Sequence, residues 1–375
     1  MAKFDVVFEG GGAKGAVFVG ALEVLAASGH QTGRLVGTSA GAITATMCAA
    51  GSTPAQLLDL VTETAVDEKG ETVPRFKTFM DVAAPTDFSP EVERDSVTIK
   101  ALHSLPLLPD FLDGSILRAL LADRNYARLF TFVETGGFYI GARFREWLDE
   151  KLEKAGVPRG STMSQFAAIS GADLSVTASD TSGGRLLVLN HRTAPGLPLS
   201  WAVRMSMSIP FVWQEVVWRK EWGSYLGEDL SGHVIVDGGV LSNFPLRLVH
   251  DNTEGTQEVM GAPSGTASEA LGLLIDETMP VADEPGGDDR HGRISRFKVI
   301  QRLSRITDTL TRARDTEDIR LLDRFVCRLP AKGYGTLEFD MHGDRLGHFL
   351  QSGRDAMTKH LLSRGLAAGP AAAGR

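Results

Sequence analysis

The chain has only two cysteines, Cys48 and Cys327, among 375 residues. Two thiols cannot build a disulfide framework, and a four-thiolate zinc site is excluded. That scarcity fits a reducing compartment. No uninterrupted apolar run reaches the roughly 18 residues of a membrane-spanning helix. The first residues, Met1-Ala2-Lys3-Phe4-Asp5, lack the charged-then-apolar pattern of a secretory leader. A basic excess is missing too: 39 Lys and Arg stand against 47 Asp and Glu, for a net charge of −8. Nucleic acid is therefore not an expected partner. No cluster of His, Cys, Asp and Glu has metal-ligand spacing, so no metal is expected. These absences describe a cytoplasmic protein, soluble or peripheral to a membrane, that meets any lipid at the bilayer surface.

What is present is ordinary globular composition, 43% hydrophobic and 23% charged, enough for a sizeable core. Residues 4–8 read as a short buried strand. Ala16 to Ala27 has an apolar helical face. His30 to Gly33 reads as a loop, Leu35-Val36 as a second strand, and Ala42 to Ala50 as a small-residue buried helix. This strand–helix–strand–helix opening predicts an α/β fold with a parallel sheet. Further on, Phe144 to Ala155 is an amphipathic helix. Residues 174–178 and 186–189 bracket a Thr-Ser-Gly-Gly hairpin turn, residues 233–236 form a strand ending at Asp237, and residues 271–275 form another. Residues 252–268 and 280–292 read as polar loops.

Residues 66–135 break the rhythm. They hold five prolines and an apolar patch at Leu105, Leu107, Leu108, Phe111 and Leu112. Two readings fit: a cap packed on the core, or a lid over the site. From Arg293 to Arg314 a helix can be drawn with apolar residues on one side. Lys298, Arg302, Arg305 and Arg312 fall opposite, as a solvated face or a surface for anionic lipid. A single domain over 1–364 and a frayed tail over 365–375 are expected.

Two glycine motifs carry the chemistry. Gly10-Gly11-Gly12-Ala13-Lys14-Gly15 follows the first strand and precedes a helix, an arrangement whose free N–H groups attract negative charge. A dinucleotide fingerprint wants an acidic residue about 20 positions on. Gly29 to Val36 has none. A P-loop wants Gly-Lys-Ser/Thr, which Lys14-Gly15-Ala16 does not supply. An oxyanion hole and a plain structural turn remain.

The second motif, Gly37-Thr38-Ser39-Ala40-Gly41, sits between a strand and a small-residue helix, the context of a nucleophile elbow. The α/β-hydrolase order needs several strands before the elbow, and here only one precedes it. None of the nine histidines has a signature context. His233, near Asp237 in sequence, allows a triad reading. Asp237-Gly238-Gly239 is the better partner, a carboxylate at a strand's C-terminal end, where open α/β sheets place their sites. A plain Asp-Gly turn is the competing reading.

Taken together these segments resemble the patatin-like phospholipases. Gly10 to Gly15 resembles the family's oxyanion loop, Gly37 to Gly41 its elbow, and Asp237-Gly238-Gly239 its catalytic aspartate motif. Met205-Ser206-Met207-Ser208-Ile209-Pro210-Phe211 is similar to a fourth block that flanks the active site, with Met205 where the family often has alanine. The resemblance implies a three-layer α/β/α fold with a mostly parallel central sheet. It also implies a Ser39–Asp237 dyad and an oxyanion hole from the N–H groups of Gly11, Gly12 and Ala13. The implied substrate is a phospholipid or another acyl ester, hydrolysed through an acyl-enzyme without a cofactor. A transacylase or thioesterase with the same dyad, and a non-catalytic lipid- or nucleotide-binding module, are the alternatives. An ordinary aspartate near pKa 3.9 is a poor base for a serine hydroxyl, so proton transfer would have to accompany attack.

Overall fold

The computed structural model describes residues 1–67, 70–81, 130, 132–133, 136–261, 268–282, 315–336, 338 and 341–368. The apolar patch at 105–112, the basic stretch 293–314 and the last seven residues lie outside the described residues.

The chain opens with β1 (Lys3–Phe8), a 3-10 turn (Gly12–Ala16), α1 (Val17–Ala27), β2 (Gln31–Thr38) and α2 (Ala40–Ala49). Then come α3 (Pro54–Thr62) and a small hairpin of β3 (Thr64–Val66) and β4 (Thr72–Pro74). A 3-10 turn (Arg75–Phe79) leads on to β5 (Gly137–Tyr139), α4 (Ala142–Lys154) and α5 (Met163–Ser170). The next segment holds β6 (Leu174–Asp180), β7 (Arg185–Leu189), α6 (Leu199–Ser206), β8 (Phe211–Trp213), β9 (Val216–Val217) and β10 (Val234–Asp237). Short helices α7 (Arg247–His250) and α8 (Glu254–Met260) follow, then β11 (Glu269–Pro280), β12 (Val326–Lys332) and α9 (Gly343–Ser363).

The main sheet runs β12-β11-β1-β2-β6-β10-β9, with β7 hairpinned onto β6. The pairings from β12 through to β6 are parallel, and those of β6 with β7, β6 with β10 and β10 with β9 are antiparallel. The sheet is thus mostly parallel and buried on both faces, which is why its strands read as apolar runs. Alternation along β1 sorts the two layers. Phe4, Val6 and Phe8 join the larger core with α1, α2, α4 and α9. Val7 joins the second, with Phe244, Leu246 and Met260. This is the expected three-layer α/β/α architecture.

Three local expectations change. The loop expected at 30–33 is mostly strand, since β2 starts at Gln31 where it pairs with Lys3. The polar stretch 252–268 contains α8, N-capped by the Thr253 hydroxyl, which accepts from Thr256 N–H, and anchored by buried Met260. Its sequence reads as loop because only one side chain of the helix is buried. Finally, β10 enters the sheet antiparallel to β6. The crevice rule for parallel strands therefore does not place Asp237. Register does.

Candidate active site

Ser39 is the single residue between β2 and α2. Its φ of 53° and ψ of −122° lie where residues with a Cβ are strained. The turn closes because its neighbours are glycine. A Cβ on Gly37 would lie 2.3 Å from the Gly41 carbonyl oxygen, and one on Gly41 2.3 Å from that of Phe8. The Ser39 N–H donates to Ser206 Oγ at 2.9 Å. Its hydroxyl does not cap α2 and so stays available for other chemistry.

Strand β6 sets where Asp237 stands. Thr38 is opposite Thr177 on one side of β6, and Asp237 is opposite Ala178 on the other. Antiparallel β10 thereby ends at the level where β2 ends. The Asp237 N–H is held by the Ser208 carbonyl at 2.9 Å. Asp237 Oδ1 accepts from Gly239 N–H at 2.7 Å. Oδ2 is buried and has no hydrogen bond among the described residues. Burial pushes the carboxyl up to about 7, against smaller opposing effects of the Gly239 N–H and the Ser39 hydroxyl. Burial thus lifts this carboxyl well above the ordinary aspartate range near 3.9.

The glycine loop lies against both. Gly10 N–H donates to the Asn243 carbonyl at 3.1 Å, and Asn243 Nδ2 returns a bond to Gly10 O at 2.8 Å. Gly12 has φ +56°, and a Cβ there would lie 2.2 Å from the Thr336 carbonyl oxygen. Gly11 and Gly12 N–H make no hydrogen bond to a described residue. The Ala13 N–H does: it donates to Thr336 O at 2.8 Å. Ala13 is therefore set apart from the other two expected donors, because its N–H is already occupied. The helix expected right after the loop begins as a 3-10 turn, and α1 starts only at Val17.

Ser39, Asp237, Gly10, Gly11, Gly12 and Gly239 line one cavity of about 570 Å³. Gly15 packs on Ala40 and Gly238 on Thr177 instead, as spacers behind it. No histidine is among the described residues lining this cavity. His233 Nδ1 lies 2.9 Å from Asp180 Oδ2, pinning the β6–β7 hairpin to β10, which removes the triad reading.

With this geometry in view, residues 6–250 match the sequence model of the patatin-like phospholipases. The chain belongs to that family. A Bacillus subtilis (strain 168) protein, YqhO, is 29% identical over 250 residues, covering 65% of this chain and 66% of its own. VipD from Legionella pneumophila aligns over 96% of this chain and 67% of its own, at 17% identity and TM-score 0.47. The type III effector ExoU aligns over 98% of this chain and 54% of its own, at 17% identity and TM-score 0.43. The chain thus spans about two thirds of YqhO and about half of ExoU.

Two carboxylates that sequence reasoning passed over, Glu9 within the matched segment and Asp315 beyond it, also line this cavity. Glu9, just before the glycines, is half-buried under the loop. It accepts from Ile275 N–H at 2.5 Å and Asn243 Nδ2 at 3.2 Å. Burial raises its carboxyl to about 8 despite those bonds and nearby Lys14. Lys14 is buried, paired with Glu277 on β11. Beyond the matched segment, Asp315 accepts from Ser242 Oγ at 2.8 Å, Asn243 N–H at 2.8 Å and Phe244 N–H at 2.9 Å. It fixes Asn243, which in turn fixes Gly10. The only sequence signal for Glu9 was a charge ending an apolar strand, and Asp315 had none.

Proposed function

We propose that this protein is a lipid acyl hydrolase working through a Ser39–Asp237 dyad. Ser39 Oγ attacks the ester carbonyl as Asp237 Oδ2 takes its proton. The N–H groups of Gly11 and Gly12 receive the oxyanion, each such donor being worth about a hundredfold or more in rate. Collapse of the tetrahedral intermediate breaks the ester C–O bond. The departing alcohol takes the proton back from Asp237, leaving an acyl-Ser39. Water then attacks the acyl carbonyl, Asp237 accepts its proton, and Ser39 leaves with that proton as the free acid forms.

One observation carries this reading. The buried Asp237 carboxyl lines the same cavity as a serine held in a strained elbow, its Oδ1 is held by the Gly239 N–H, and burial brings its pKa to about 7. A base poised near the working pH is what proton abstraction requires. The substrate is an acyl ester met at a lipid surface from the aqueous side; among the described residues no helix is long and apolar enough to cross a membrane.

The test is a fluorophosphonate probe together with a phospholipid panel. Wild type should be labelled at Ser39 and release free fatty acid, and Ser39→Ala should do neither while unfolding at a similar temperature. Acyl transfer to an added alcohol or thiol in preference to water would make it a transacylase instead. An unlabelled wild type inert on every ester would leave a binding module.

A further inference from the structure

A second cavity, of about 110 Å³, also reaches Ser39, Gly12 and Ile209, and its lining is far poorer in charge than that of the first. The larger cavity sets Glu9, Lys14, Asp276, Glu277, Arg320 and Arg328 beside apolar residues such as Leu274 and Ile319. The smaller follows α2. Ala40, Ile43, Thr44 and Met47 line it, at the spacing of one helical face. Because α2 starts at the nucleophile, that face leads away from Ser39 for roughly 10 Å at 1.5 Å per residue. Its remaining wall includes Phe79 and Trp147, whose rings lie 5.0 Å apart in the core. Neither lines the charged cavity.

Resting on the dyad reading, we propose that the α2 cavity is the acyl-chain site and that Ile43 and Met47 measure chain length from the nucleophile. The charged cavity takes the alcohol side of the ester. An acyl chain in the charged cavity would leave Lys14, Glu277 and Arg328 facing hydrocarbon, an unfavourable desolvation. The same chain along α2 meets mostly apolar side chains, and the one carboxylate among the described lining residues, Glu338, is paired with Arg345. Each methylene that enters should raise kcat/KM roughly fourfold, the factor equivalent to burying one CH₂. The gain should stop where the cavity ends.

The test uses p-nitrophenyl esters from acetyl to dodecanoyl, with the full chain and unfolding temperatures recorded. Wild type should show kcat/KM climbing with chain length to a maximum. Ile43→Trp, one turn from Ser39, should move that maximum to shorter chains than Met47→Trp, two turns away. The longest-to-shortest ester ratio should fall at least tenfold in each. Met47→Ala should move the maximum the other way, which keeps the idea testable if a tryptophan overpacks the helix. A wild type that turns over the acetyl ester with no gain along the series overturns the acyl site and leaves the dyad standing. So do variants whose rates change equally at all lengths. A protein inactive on every ester and unlabelled at Ser39 overturns the dyad and the acyl site together.

Discussion

Asp237→Asn should stop hydrolysis and, above neutral pH, make the protein more stable. The carboxyl sits at about 7 in the fold against an ordinary 3.8, chiefly because burial disfavours its charge. The folded protein therefore holds this proton more tightly than the unfolded chain. Between pH 4 and 7 the folded state binds more protons, so stability falls as pH rises through that window. Three units correspond to a ceiling of ~4 kcal/mol at 1.36 kcal/mol per unit, of which roughly 2–3 kcal/mol accrues between pH 5 and pH 8. Asparagine keeps the shape, retains an oxygen for the Gly239 N–H and carries no charge at any pH. Unfolding wild type and variant at pH 5 and pH 8 isolates the effect, since Glu9 and every other shifted group cancels in the difference. The variant's relative stability should rise by ~2 kcal/mol or more from pH 5 to pH 8. Wild-type kcat/KM should rise with pH through about 7 and then level, as the base loses its proton. A stability difference that is the same at both pH values would refute the buried-charge account. A variant that still hydrolyses esters would refute the base.

Gly12→Ala combines a φ of +56° with a Cβ 2.2 Å from the Thr336 carbonyl oxygen. It should lower kcat by about a hundredfold or more with KM little changed; a large rise in KM at constant kcat would point to a ground-state anion cradle. Asp315→Ala leaves one hydroxyl and two N–H groups without their acceptor. Unfolding should show a loss of ~3 kcal/mol, with kcat falling through the displaced Asn243 and Gly10, and full activity well below the unfolding temperature would show that the brace does not reach the loop. His233→Ala takes away a partner of buried Asp180; it should lower the unfolding temperature yet keep turnover per folded molecule, and a folded variant as inactive as Ser39→Ala would revive a triad.

Local rules carried much of the site. Glycine at 37 and 41 around Ser39, and the Gly10–Gly15 run after an apolar strand, are legible because each reflects a clash or a backbone shape that few residues tolerate. The α/β class followed from the alternation of apolar strand and helical periods at the N-terminus. Polar α8 and the start of β2 were missed because what makes them regular is a partner distant in sequence: buried Met260 packing on the sheet, and β1 pairing with Gln31. Tertiary structure alone decided the electrostatics and the neighbours. The basicity of Asp237 comes from burial, which no spacing reveals, and its distance from Ser39 is set by β6, well over a hundred residues from the elbow. The occupied N–H of Ala13, the clasp of Asp315 on Asn243 and the division into charged and apolar cavities also join segments far apart in the chain. The sequence by itself determined which residue types are candidates for the proposed chemistry, because those are fixed by local backbone shape. The fold determined the burial of Asp237, the free N–H groups of the loop and the two cavities at Ser39, because these depend on desolvation and on contacts that exist only once the sheet has closed.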